Sequence, residues 1–521
     1  MRPQNMRQKS ETMTRENYDM NRECGMLLPV SSLPSRYGIG TFSKEAYEFV
    51  DQLKEGGQKN WQILPLGPTG FGDSPYQTYS AFAGSPYYID LDGLVEDGLL
   101  TTQECEEVDF GNDPVTVDYD KLAAGRIPLL RKAYDRWKQQ MQEANLGTIG
   151  ERIEAELGED TREYCLYMAI KDSQGGTCWA EWDEPLKLRK KAALDQFQKE
   201  HEDEIHFYAF MQLKFQGQWA KLKLYAKEKG IKIVGDIPIY VAFDSADAWS
   251  HPELFQFDKD GKPQAVAGCP PDAFAATGQL WGNPLYQWDY HKKTGYGWWM
   301  KRMAYSFRMF DVVRVDHFRG FDEYYAIPAG DPTAEFGKWE KGPGLELFTK
   351  MKKEFPDLDI IAEDLGFLTP SVLELVKNTG FPGMKILEFA FDSGSGNAYL
   401  THHYTENCIV YTGTHDNDTL RGWLQTMPDY ARDFAIRYMN SAKTDWNDLH
   451  WDFIRLAMAS VAKTAIIPVQ DYLGLGSEAR INEPGTVGKN WKWRMRKGAL
   501  TGDILWRCKD MACLYGRAEW N

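Results

Sequence analysis

Eight short runs of apolar, largely β-branched residues recur along the chain, at residues 25–30, 61–66, 231–241, 312–316, 360–363, 384–389, 409–412 and 465–471. Most are continuous rather than alternating, the pattern of strands covered on both faces, as in parallel sheets. Residues 44–55, 209–229 and 370–378 lie between such runs and carry helical patterns. Alternating strands and helices predict an α/β sheet, and eight strands allow closure into a (β/α)₈ barrel.

Such a barrel needs about 250 residues, so the excess of this 521-residue chain must lie in insertions. Residues 92–208 are charged, helical in pattern and poor in β-formers, which predicts a helical subdomain. Residues 243–300 are rich in Pro, Gly and Trp and predict a subdomain over a cleft. Both follow the C-terminal end of a strand, where a barrel's active-site face lies, and loops this long usually carry function or structure of their own. The expected organisation is a single catalytic domain over 24–521, interrupted twice, after a polar and flexible lead-in at 1–23.

Composition narrows the partners. A net charge of −16 disfavours nucleic acid and anionic membranes, both of which need basic patches. No apolar run approaches the ~18 residues of a membrane helix. The lead-in mixes Arg2, Arg7, Lys9 and Arg15 with Glu11, Glu16 and Asp19 and lacks an apolar segment, so neither a secretory signal nor a transit peptide is expected. A cytoplasmic location follows by elimination. Cys24, Cys105, Cys165, Cys178, Cys269, Cys408, Cys508 and Cys513 are scattered without a C-x-x-C pair. They are expected to be reduced and mostly buried.

Three of the strand-like runs end in acidic motifs: Arg314-Val-Asp316-His317-Phe-Arg-Gly, Ala362-Glu363-Asp364-Leu-Gly and Thr414-His415-Asp416-Asn417-Asp418. Unpaired buried charge is costly, so carboxylates at the mouths of core strands suggest chemistry. Arg314 and Asp316 share a side of their strand, and a guanidinium keeps a neighbouring carboxylate ionised, which suits a nucleophile. A plain buried ion pair would give the same pattern. Glu363 follows Ile360, Ile361 and Ala362; apolar neighbours raise a carboxyl pKa, which suits a general acid. A turn-capping role is the alternative. Asp416, between His415 and Asn417, could stabilise positive charge on a sugar ring or belong to a polar turn or metal site. The adjacent His402 and His403 are expected to point apart, which weakens the metal reading. One nucleophile, one acid and one stabiliser describe retaining glycoside chemistry.

Aromatic residues make up 14% of the chain, and several sit among Gly, Pro, Asp and Gln rather than in core patterns: Tyr76 in Asp73-Ser-Pro-Tyr76-Gln77 and Trp281 in Gly278-Gln279-Leu-Trp281-Gly-Asn283. A flat apolar ring beside polar groups suits a sugar. Gly474-Leu-Gly476 lacks the third glycine and the βαβ context of a dinucleotide loop. Trp491-Lys-Trp-Arg-Met-Arg496 is a lone basic-aromatic patch, expected to be a packed surface helix or turn.

Through these motifs the chain resembles the 4-α-glucanotransferases (amylomaltases or disproportionating enzymes) of glycoside hydrolase family 77, relatives of α-amylase. The resemblance runs from about Gly25 to the C-terminus. It rests on residues 27–40, 73–77, 235–241, 270–274, 278–286, 314–320 and 413–418. It implies a (β/α)₈ barrel with insertions and no separate C-terminal β-domain. It also implies that Asp316 is the nucleophile, Glu363 the acid/base and Asp416 the transition-state stabiliser, with Arg314 and His415 as sugar-binding partners. Tyr76, Asp236, Asp272, Gln279 and Trp281 fall in motifs that line donor and acceptor subsites, and 268–286 matches a mobile loop over the cleft. The expected partners are maltooligosaccharides, glucose and soluble α-glucans, with no nucleic acid, membrane, metal or organic cofactor. An α-glucan hydrolase on the same scaffold, a non-catalytic glucan-binding protein and a metal-dependent hydrolase are the competing classes.

Overall fold

The computed structural model describes residues 22–520 except 112, 272–275 and 443–447. Among these residues are twelve strands: β1 (Glu23–Leu27), β2 (Asn60–Gln62), β3 (Lys232–Ile237), β4 (Ala265–Cys269), β5 (Gln279–Pro284), β6 (Val312–Val315), β7 (Glu323–Pro328), β8 (Lys338–Lys341), β9 (Ile360–Ala362), β10 (Gly383–Ile386), β11 (Cys408–Tyr411) and β12 (Thr464–Pro468). Eight form one parallel sheet in the order β10-β11-β12-β1-β2-β3-β6-β9. Its two ends meet where the Ala362 N–H donates to the Pro382 carbonyl at 3.0 Å. The Met384 N–H adds a bond to Asp364 Oδ1 at 2.7 Å. This is a (β/α)₈ barrel, and its eight strands fall within or next to the eight predicted runs.

The strands are largely apolar because both faces are covered: Ile233, Val313, Ala362, Ile386, Val410 and Ile466 are all fully buried. Gly235 in β3 has a steric reason, since a Cβ there would lie 2.1 Å from the Phe310 ring. The bottom of the barrel is closed by Arg517, which has no exposed surface and donates to the carbonyls of Glu23, Met458, Ala462 and Lys463.

Residues 92–208 are helical, with helices at Tyr119–Glu143, Ile149–Glu156 and Glu159–Ser173. A reciprocal Thr148–Glu151 capping box starts the second of these. Residues 243–300 hold an unpredicted element. Strands β4 and β5 join β7 and β8 in an antiparallel sheet of order β5-β4-β7-β8. Half of this sheet comes from the segment between β6 and β9. Within 268–286, expected as a mobile loop, residues 268–269 and 279–284 belong to β4 and β5, which pair with each other.

Register builds the site before any side chain is considered. Asp236 on β3 pairs with Arg314 on β6, and Val315 on β6 pairs with Ala362 on β9. The next residues on that second pair are Asp316 and Glu363, and the Glu363 N–H donates to the Val315 carbonyl at 3.2 Å. Adjacent strands run about 4.8 Å apart, so the two carboxylates leave the barrel mouth side by side.

Candidate active site

Arg314 is the electrostatic hub. Its guanidinium is 3% exposed; Nη1 lies 2.6 Å from Asp236 Oδ2 and Nη2 lies 3.0 Å from Asp316 Oδ1. The same Asp236 oxygen accepts the Tyr76 hydroxyl at 2.8 Å. Burial pushes the Tyr76 phenol far above its usual range, so it remains a donor. The loop carrying Tyr76 is tied to β5 through the Gln77 amide, which donates to Asn283 Oδ1 at 3.0 Å.

Glu363 is held by backbone rather than by a cation. Oε2 accepts the His317 N–H at 2.7 Å and Oε1 the Leu365 N–H at 2.8 Å. His317 adopts a left-handed φ of 50°, which turns that N–H toward the acid. Burial raises the Glu363 carboxyl, while Arg314 and the two N–H donors pull it down. Asp316 departs from its expected behaviour. Burial raises it well above the usual carboxylate range, Arg314 opposes that, and Glu363, Asp236 and Asp416 add to it. The two neighbouring acids therefore favour sharing one proton.

Asp416 closes the group from the β11 side. Asn482 Nδ2 donates to Oδ1 at 2.6 Å, and His415 Nε2 lies 3.3 Å from Oδ2. Burial lowers the His415 imidazole, which stays neutral. The Tyr76 and His415 rings stack, with centroids 5.2 Å apart and planes within 14°. Trp281 donates to Gln279 Oε1 at 3.1 Å and stands edge-on to His317 at 4.9 Å. His317 is neutral as well, pushed down to about 3 by burial.

Of the residues singled out from the sequence, Tyr76, Asp236, Gln279, Trp281, Arg314, Asp316, Glu363, His415 and Asp416 are linked into one cluster by these contacts. Asp272 lies outside the described residues. Among the described residues no group of three or more His, Cys, Asp or Glu side chains is placed to hold a metal ion. His402 and His403 do not point apart: a tight turn at Thr401–His403 brings their rings to 4.0 Å, and both face the Ser395 carbonyl.

A profile described as 4-alpha-glucanotransferase matches residues 28–501. The chain belongs to the 4-alpha-glucanotransferase family. It is 46% identical over 496 residues to the 4-alpha-glucanotransferase of Clostridium butyricum, covering 94% of this chain and all of that one. It is 45% identical over 507 residues to the Streptococcus pneumoniae 4-alpha-glucanotransferase, covering 96% and 98%. Its fold superposes on amylomaltase from Streptococcus agalactiae, solved in complex with acarbose, with a TM-score of 0.92 and 41% identity over 96% of this chain and 100% of that one.

The structure of this 4-alpha-glucanotransferase adds supporting residues that sequence reasoning missed. Trp491, read as a surface patch, is buried, with its ring centroid 5.9 Å from that of Tyr76 and 6.1 Å from that of His415. Asp471, in the single helical turn Val469–Tyr472 after β12, clamps both ends of the Asp416 loop. It accepts the Thr412 hydroxyl at 2.6 Å and the Leu420 N–H at 2.8 Å. Glu388 holds the middle of the loop through Asn417 Nδ2 at 3.0 Å. Burial raises Glu388 well above the usual range and pushes Asp471 up to about 7.

A raised folded-state pKa means that the stability tied to Asp471 is complete at low pH and is lost as pH climbs toward 7 and beyond. Asparagine cannot ionise. The thermal midpoint of Asp471→Asn should therefore gain on the parent by about 2 °C between pH 5 and pH 8. Paired thermal scans at the two pH values measure this, and a constant difference would contradict it.

Proposed function

We propose that this enzyme moves segments of α-1,4-glucan between chains by a retaining double displacement through a covalent link to Asp316. The observation that carries the reading is the β6–β9 junction. There an arginine-braced aspartate and a backbone-braced, protonatable glutamate leave adjacent strands side by side. Retaining chemistry needs two carboxyls about 5–5.5 Å apart.

In the first step an Asp316 oxygen forms a bond to the anomeric carbon as the glycosidic C–O bond breaks. The Glu363 proton goes to the departing oxygen. In the second step Glu363 takes the proton of an incoming sugar 4-hydroxyl, whose oxygen displaces Asp316 and restores the α-linkage. Asp416, fixed by Asn482 and His415, stabilises the oxocarbenium character between the steps. Arg314 and His415 hold the central sugar, Asp236 braces Arg314 from behind, and Tyr76 lines a neighbouring subsite. Gln279 and Trp281 line the flanking subsites, where maltooligosaccharides, glucose and soluble α-glucans bind. No step draws on a metal or organic cofactor. The sheet carrying Trp281 favours transfer by occupying the mouth with acceptor and excluding water.

Pure maltotriose tests the reading. Transfer yields glucose together with maltotetraose and longer chains. A digest confined to glucose and maltose would identify a hydrolase on the same scaffold. Proton NMR at early times should show newly formed linkages that are α only; a β product would rule out double displacement.

A further inference from the structure

Arg319 lies between the catalytic motifs and the four-stranded sheet and makes no ion pair among the described residues. It is 4% exposed. Nη1 donates to the Phe367 carbonyl, while Nε and Nη2 are buried without a hydrogen-bond partner. The guanidinium stacks on the Trp339 ring with 3.8 Å between its carbon and the ring centroid. A buried guanidinium with no carboxylate in contact is costly, and burial depresses its pKa against the weaker pull of Cys269, Glu323 and Asp322. Stability alone is a poor reason to keep it there.

What it touches supplies a reason. Phe367 ends the five-residue turn that starts at Glu363, and the Leu365 N–H within that turn holds Glu363 Oε1. Arg319 therefore pins the far end of the segment that aims the acid. Trp339 belongs to β8. From there one row of the sheet runs through Tyr325 on β7 and Gly268 on β4 to Leu280 on β5, the neighbour of Trp281. Trp281 in turn abuts His317, whose N–H holds the other Glu363 oxygen.

We propose that Arg319 is a positioning residue that couples the Trp281-bearing sheet to the Glu363 turn, so that glucan seated against the sheet sets the aim of the acid/base carboxyl. This rests on the acid/base reading of Glu363. A planar guanidinium can stack on Trp339 and donate to Phe367 together; an ammonium cannot hold both.

Two donor–acceptor pairs separate positioning of the acid from general damage. Transfer between maltotriose molecules needs Glu363 in both steps. With α-maltosyl fluoride and azide it is needed in neither. Fluoride leaves without a proton as Asp316 bonds to the anomeric carbon, and azide then forms a C–N bond as Asp316 departs. Arg319→Lys should lose about tenfold or more with maltotriose and stay within about twofold of the parent with fluoride and azide. Trp339→Leu, which leaves the charge in place, should show the same split and decides the matter if Arg319→Lys does not fold. Equal losses on both pairs, or no loss on either, would overturn the proposal. Glu363→Gln run alongside should show the split in larger form. If it does not, the acid/base reading itself fails, whatever Arg319 does.

Discussion

Replacing Asp316 with asparagine is expected to lower glucan transfer by about 10⁴-fold or more while the barrel stays folded. The amide nitrogen and oxygen of asparagine are poor nucleophiles, so no glycosyl ester can form. The contact at 3.0 Å from Arg314 Nη2 would no longer neutralise a charge. Stability should change little, because two effects oppose each other. The variant loses an ion pair, but it also removes an acid that burial and three neighbouring carboxylates hold above its usual pKa. Ionising Asp316 costs folding free energy at neutral pH, and asparagine escapes that cost. Initial glucose release from maltotriose, read beside the thermal midpoint, makes the test. A folded variant keeping a tenth of the parent rate would move the nucleophile to another residue.

The barrel was legible because its strands are buried on both faces and read as uninterrupted apolar runs. The predicted ends overshot where apolar residues continue past the last ladder pair. The run at 231–241 contains Pro238, which ends β3 at Ile237, yet Ile239, Tyr240 and Val241 stay buried. The four-stranded sheet was illegible for the opposite reason. Strand β8 reads Lys-Trp-Glu-Lys, and the β4–β5 hairpin contains Gly268 and Gly282, so no strand-like run marks either. The rule of a carboxylate at a strand mouth singled out Asp316, Glu363 and Asp416, which the fold brings into one cluster. The same rule also points to Glu388 and Asp471, which close the runs at 384–389 and 465–471 and brace the Asp416 loop. Trp491 and Asn482 come from irregular segments remote in sequence, where no periodicity marks them. The raised pKa of Asp316 was missed because the pattern showed its arginine partner but not the three carboxylates converging from β3, β9 and the loop after β11.

Removing the guanidinium should have the second largest effect. In Arg314→Met, Asp236 and Asp316 would keep their places but lose the cation they share. Breaking a buried pair from one side costs about 3–5 kcal/mol. That cost should be largest at pH 8, where the stranded Asp316 is ionised, and smaller at pH 5.5, where protonation relieves it. The sign follows from Asp316: without the cation its folded-state pKa rises further, so stability is retained at low pH and lost as pH climbs through it. Urea midpoints at the two pH values read this directly. Activity should fall by about 10³-fold near neutral pH, and the acid limb of the kcat/KM profile should move alkaline by about one unit or more, because Asp316 then ionises later. Arg314→Lys should lie between the two, since one ammonium cannot bridge both carboxylates as two guanidinium nitrogens do. An unmoved acid limb in Arg314→Met would mean that Asp316 does not depend on Arg314 for its charge, and the shared-proton account of the Asp316–Glu363 pair would have to be given up.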